Sequence, residues 1–226
     1  MSINKKEYAV GWQSWHENYR NSLPLRARLE EVSQQVTDAI NAIESPRVHV
    51  LSLCSGDGRD LLKVLLSGNT NKAVDATLIE LDPILVEQGR EAFAEHGFSD
   101  FVQFRCADAT LFSSYQDLPK AELVMVCGVF GNVRANHVER LIFSLKGFCS
   151  PGARVVWTRS LNEFDDGEAA AQRIRCCFKD TGFREAAFKR TPEGTFAVGS
   201  LIYEGEQERL PSTGQMFEFS AFWDVH

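Results

Sequence analysis

The chain has 226 residues, 44% of them hydrophobic and 24% charged, enough for one globular domain with its own core. That balance excludes a disordered or low-complexity chain. Lys and Arg number 24 against 31 Asp and Glu, a formal net charge of −7, which is not the footprint of a general nucleic-acid or anionic-membrane binder.

The first 45 residues differ in kind from the rest. Tyr8, Trp12, Trp15, His16 and Tyr19 cluster tightly, the last four at helical offsets of three, four and seven. Leu25, Leu29, Val32, Val36, Ile40 and Ile43 then recur at helical spacing and predict a long amphipathic helix. Residues 1–45 are therefore expected to form a helical, aromatic cap or lid, and residues 46–226 the main domain.

From residue 48 short β-rich runs alternate with helical stretches. Strands are expected at Val48 to Leu53, Ala76 to Leu81, Phe101 to Cys106, Leu123 to Cys127 and Arg154 to Thr158. Helices are expected at Asp60 to Leu66, from Asp82-Pro83 to about His96, at Ala135 to Phe148 and at Glu168 to Thr181. Phe183 to Lys189 and Thr195 to Glu204, joined by TPEG, read as a hairpin. Met216 to Trp223 alternates polar and apolar residues and is compatible with a strand. The pattern predicts an α/β, Rossmann-like, doubly wound sheet of seven strands, mostly parallel, with an antiparallel strand from the terminal hairpin at its far side.

No apolar run approaches the roughly 20 residues that cross a bilayer. MSINKKEYAVGW has no apolar stretch behind its lysines, so it does not read as a secretory signal. The six cysteines (54, 106, 127, 149, 176 and 177) form no CxxC pair and sit mostly in apolar runs. Buried free thiols in a reducing, cytoplasmic setting are expected, with no metal site.

The turn after the first strand carries the chemistry. VLSLCSGDGRDLL places Gly56 and Gly58 between a buried strand and an apolar helix, where the backbone must turn tightly and can approach a ligand. No Lys-Ser/Thr follows, so it is not a Walker A loop, and GxGxxG is incomplete. Glu80, about 22 residues after Gly58, ends the second strand, where a carboxylate can accept both hydroxyls of a ribose. Asp108-Ala109 follows the third strand, where an adenine amino group would need an acceptor. The alternative for each acid alone is a helix N-cap.

Over residues 48 to 205 the chain resembles the class I S-adenosylmethionine-dependent methyltransferases. VLSLCSGDG is similar to that family's strand-turn motif, LIELDP to its acidic second-strand motif, CADA to its third and ELVMVCGVFGNV to its fourth. WxxWHxxY and GVFGNV resemble a bacterial subgroup. The chain departs at two places, with Ser52 where the family has an acid and Cys54 where it has its first glycine. Asp57 or Asp60 could take over the missing acid's task. The resemblance implies a cofactor site of Cys54, Ser55, Gly56, Asp57, Gly58, Glu80, Leu81, Asp108, Ala109, Cys127 and Gly128, and S-adenosylmethionine as cofactor.

Such a cofactor brings its own leaving group, so the protein must mainly align an acceptor and exclude water. Cys127-Gly128-Val129-Phe130-Gly131-Asn132 lacks the Asp/Asn-Pro-Pro-aromatic motif of base-amine methylation, and with the acidic charge this points to a small-molecule acceptor and away from nucleic acid or membrane. His16 is a candidate general base near neutral pH, with Tyr19 and Asn132 as further catalytic candidates. Trp12, Trp15, Phe130 and Arg159 are candidates for the lid and substrate wall. His137 is expected to be an exposed helical residue and His49 a structural one. Two alternatives stay open: chemistry on the aminocarboxypropyl arm, as lyase, cyclase or aminopropyl-type transferase releasing methylthioadenosine, and a non-catalytic protein that only binds the cofactor.

Overall fold

The computed structural model describes residues 22–162 and 166–220. Its first element is helix α1 (Leu23–Ala42), where the Ser22 hydroxyl accepts the Leu25 N–H at 3.4 Å and Pro24 occupies the first turn, as helix entry favours. There follow β1 (Arg47–Leu53), α2 (Arg59–Ser67), β2 (Ala73–Glu80), α3 (Pro83–Glu95) and β3 (Val102–Cys106). A 3₁₀ turn at Phe112–Tyr115 leads to β4 (Ala121–Val126), a second at Ala135–His137 to α4 (Val138–Leu145), and then come β5 (Cys149–Ser160), α5 (Gly167–Asp180), β6 (Phe183–Arg190) and β7 (Phe196–Tyr203).

The strands form one sheet in the order β3-β2-β1-β4-β5-β7-β6. β1 to β5 run parallel, and β7 is antiparallel to both of its neighbours. The antiparallel strand thus lies one place in from the edge rather than at the far side, because the hairpin folds back and inserts β7 between β5 and β6. Strand order reverses between β1 and β4, which opens a crevice at their carboxyl ends.

Period-two alternation sorts the strand residues into two cores. Val48, Val50, Leu123, Met125 and Val156 face α1, α2 and α3 together with Val32, Val36, Ile40, Val64 and Phe93. Leu51, Leu53, Val124, Val126, Val155 and Trp157 face α4 and α5. Both sheet faces are covered, so the central strands read as nearly continuous apolar runs. Helix α1 packs against α2 and β7, and its stripe belongs to the first core.

Three elements differ from expectation. The helix foreseen over Ala135 to Phe148 begins as a 3₁₀ turn and stops at Leu145, where the next turn gives way to the backbone bond Gly147 N–H to Ser144 O. β5 starts at Cys149, and Pro151-Gly152 loops out of it between the pairs Ala121–Cys149 and Leu123–Arg154 instead of preceding it. Of the tail, Gln215 and Phe219 form single antiparallel bridges with Leu111 and Val133, while residues 221–223 lie outside the described residues. The six cysteines are free, but Cys106 and Cys176 are exposed rather than buried.

An aromatic cluster anchors the α4–α5 side. The Trp157 ring stacks on Phe178 at 6.1 Å and meets Phe130 edge-on at 5.8 Å. Trp157 pairs across strands with Gly199, and a Cβ on that glycine would lie 2.2 Å from Trp157 Nε1. Gly199→Ala must therefore displace a packed indole. It is expected to lower unfolding stability by about 1–3 kcal/mol, read as a lower urea midpoint with an unchanged slope.

Candidate active site

The carboxyl ends of β1, β2, β3 and β4 converge on the crevice. The loop after β1 turns through Cys54, Gly56 and Gly58, all with positive φ (51°, 58° and 74°). Cys54 holds a left-handed conformation that costs a non-glycine residue roughly 1–2 kcal/mol, which explains why glycine suits that place. Gly58 is needed for a different reason. A Cβ there would meet Leu78 at 2.6 Å and the rings of Phe93 and Phe104 at 2.9 Å, so its missing side chain makes room for the core and not for a ligand.

Glu80 is the centre of the site. Its Oε2 accepts the Gly56 N–H at 2.8 Å, and its Oε1 accepts the Leu81 and Asp82 N–H groups at 2.8 and 2.9 Å. It does not cap α3, which is the work of Asp82, whose Oδ1 accepts the Ile84 N–H. Burial raises the Glu80 pKa above the usual glutamate value, although the three N–H groups act against that shift. Leu81, whose N–H is one of these donors, is 41% exposed.

After β3, Asp108 Oδ1 accepts both the N–H and the hydroxyl of Thr110, at 2.9 and 2.7 Å. The loop is held from below by the buried Tyr115 hydroxyl, which donates to Ala109 O at 2.7 Å, and by Ser114, which donates to Asp108 O. Burial first, then the carboxylates of Glu80 and Asp108, push the Cys54 thiol far up, so the three side chains form one electrostatic cluster with a neutral thiol. At the exit of β4, the Gly128 N–H donates to Thr158 Oγ1 at 2.7 Å, and burial pushes the Cys127 thiol well up.

Other sequence candidates land elsewhere. Asp57 pairs with Arg59, its neighbour in the same turn. Asn132 donates its side-chain N–H to Gly128 O at 2.9 Å, closing the turn after β4. Phe130 is not in a substrate wall: that turn directs its ring into the core between Trp157 and Phe178. Arg159, a candidate for the substrate wall, is buried at 3% exposure because it lies within the paired length of β5 and β7. His137 is half-buried rather than exposed, and its Nδ1 accepts the Glu218 N–H at 3.0 Å. Trp12, Trp15, His16 and Tyr19 lie outside the described residues.

Two features escaped the sequence reading. Arg28 of α1 is 3% exposed and forms a two-pronged ion pair with Asp60, both bonds 3.1 Å. A signal was there: Arg28 follows Leu25 by three and precedes Val32 by four, a charge on the apolar face of the helix. The second is the tail. Met216 N–H donates to Thr110 O at 2.7 Å, Gln215 Nε2 to Thr110 Oγ1 at 3.3 Å and Ser220 N–H to Asn132 O at 2.7 Å. Residues 214–220 thereby strap the loop after β3 to the loop after β4, with Met216 and Phe217 fully buried beneath.

With this geometry in place, comparison with known proteins is decisive. A family model described as "Putative methyltransferase" matches residues 9–161. The chain belongs to that methyltransferase family. No curated protein matches it in sequence. Among solved structures it is similar to magnesium protoporphyrin IX methyltransferase from Synechocystis with bound S-adenosylmethionine (14% identity, TM-score 0.64, 85% of this chain and 90% of that one). It is also similar to an O-methyltransferase family 2 protein from Planctomyces limnophilus in complex with apigenin (15%, 0.58, 80% and 60%). A third likeness is an RNA methyltransferase from Salinibacter ruber with S-adenosyl-L-homocysteine (21%, 0.50, 81% and 92%). At these identities the likeness establishes the fold, that of class I S-adenosylmethionine-dependent methyltransferases.

The strand ends fit that methyl donor. A carboxylate at the end of β2, a second acid after β3, an exposed Leu81 and a positive-φ turn at Cys54 and Gly56 are compatible with an adenosine laid across these strand ends. An ionised carboxylate accepts hydroxyl hydrogen bonds better than a neutral one, and burial makes Glu80 hold its proton to a higher pH than an ordinary glutamate. Affinity for S-adenosylhomocysteine, measured by titration calorimetry, should therefore fall on acidification beginning above the usual glutamate range. Glu80→Gln should flatten that fall and, at neutral pH, weaken binding by about tenfold or more, the loss of a hydrogen bond to a charged group.

Proposed function

We propose that the protein transfers the methyl group of S-adenosylmethionine to a small-molecule acceptor. The observation that carries this reading is the Glu80 carboxylate locked by Gly56, Leu81 and Asp82 at the switch point of a methyltransferase fold. Bound there, S-adenosylmethionine supplies an activated methyl group on a sulfonium. Glu80 would hold the ribose and Asp108 the adenine amino group, with Leu81 and Ala109 against the ring. Cys54, Ser55 and Gly56 would line the sugar and the sulfur, and Cys127 and Gly128 the floor beyond.

The acceptor class is supported by the net charge of −7 and by a β4 exit, Cys127 to Asn132, without the motif of base-amine methylation. Two of the similar structures are named for a porphyrin substrate and a bound flavonoid, the third for RNA. No described helix is long and apolar enough to cross a membrane. A cytoplasmic location belongs to this reading, as does the division into a cap, residues 1–45, and a cofactor domain, residues 46–226. His16 and Tyr19 are the proposed proton acceptors and Trp12 and Trp15 the proposed cover, on the sequence pattern alone.

Purified protein incubated with S-adenosylmethionine, alone and with pools of small metabolites, tests this by mass spectrometry of the nucleoside products. S-adenosylhomocysteine should form only when an acceptor is present. Methylthioadenosine formed without any acceptor would overturn methyl transfer. Turnover on bulk RNA with none on small molecules would overturn the acceptor class.

A further inference from the structure

At the position where the resemblance implies an acid near the cofactor's amino-acid end, β1 carries the buried Ser52. A charged pair does stand between the loop after β1 and the exit of β4, on two helices. Asp60 lies in the first turn of α2, directly after the loop Cys54 to Gly58, and is gripped by Arg28 of α1 at 3.1 Å through both guanidinium arms. A Cβ on Gly128 would lie 3.9 Å from Arg28 Nη2, so the pair faces the backbone at the exit of β4. The Cys127 thiol feels both Asp60 and Arg28. The side chains of Arg28 and Asp60 are 3% and 17% exposed, a desolvated pair costly to maintain for stability alone.

We propose that the Arg28–Asp60 pair receives the amino-acid end of S-adenosylmethionine, Arg28 facing the α-carboxylate and Asp60 the α-ammonium. This rests on the reading of that molecule as cofactor. Glu80 and Asp108 assign the adenosine to β2 and β3, which leaves the arm beyond the sulfur to run toward β1 and β4. From sulfur to carboxylate carbon the arm is four single bonds, roughly 5 Å, about one strand spacing. A zwitterion arriving beside a fixed cation and anion finds an opposite charge for each of its ends, in a site with little water to screen them. The pair also makes α1, outside the strand-turn motifs, part of cofactor recognition.

Calorimetric titration with two ligands separates this role from a structural one. S-adenosylhomocysteine carries the amino-acid end; methylthioadenosine has the same nucleoside and thioether without it. Arg28→Gln should weaken S-adenosylhomocysteine by about 10- to 150-fold, the range for a charged hydrogen bond, and leave methylthioadenosine within about threefold. Because a lone buried Asp60 could unfold the chain, the double variant Arg28→Met/Asp60→Leu, which removes both charges at similar volume, should show the same selective loss. Unchanged S-adenosylhomocysteine affinity in a folded variant, or equal losses for both ligands, would overturn the proposal. Wild-type protein that binds neither ligand would overturn the cofactor reading, and this proposal with it.

Discussion

One carboxylate holds the site together. Glu80 accepts hydrogen bonds from the loop after β1 and from its own strand's exit, so the turn at Gly56 and the start of α3 share a single acceptor. Its placement follows from the parallel register of β1 and β2, which runs unbroken from Arg47–Ala73 to Leu53–Ile79 and brings both strands out at the same level. Break that register by one residue and every alternating side chain changes face, and Glu80 would enter a core. The apolar alternation that packs the sheet is therefore also what aims the acid at the crevice.

Much of this was legible in the sequence because the relevant signals are local. The runs Val48 to Leu53 and Leu123 to Cys127, the Asp82-Pro83 cap and the glycine turn each report on a few adjacent residues, and local rules read them. What was misread depended on residues far apart. Phe130, between Gly128 and Gly131, reads as a loop residue open to a substrate; only the turn closed by Asn132 shows it pointing into the aromatic cluster. Arg159 reads as a substrate-wall cation until β7 pairs alongside it. Pro151-Gly152 suggests a turn before a strand, whereas the partner strand tolerates the two residues as an outward loop.

The Arg28–Asp60 contact joins residues 32 positions apart on different helices, and no spacing rule reaches that far. It nevertheless left a trace as a cation on a stripe of Leu25, Val32 and Val36. A charge that violates an amphipathic pattern either destabilises the helix packing or has an obligatory partner, and here the partner stands in the first turn of α2.

The strap formed by residues 214–220 gives the molecule an order of assembly. During synthesis the sheet from β1 to β5 can pair, and the helices can dock, before these residues emerge. Until then the Thr110 carbonyl and the Asn132 carbonyl lack the N–H partners that tie their loops together, and Met216 and Phe217 are missing from the core. The loops bearing Asp108 and Asn132 thus acquire their final support among the last described residues to be made. A nascent chain can hold the frame of the crevice while its rim is still unfinished.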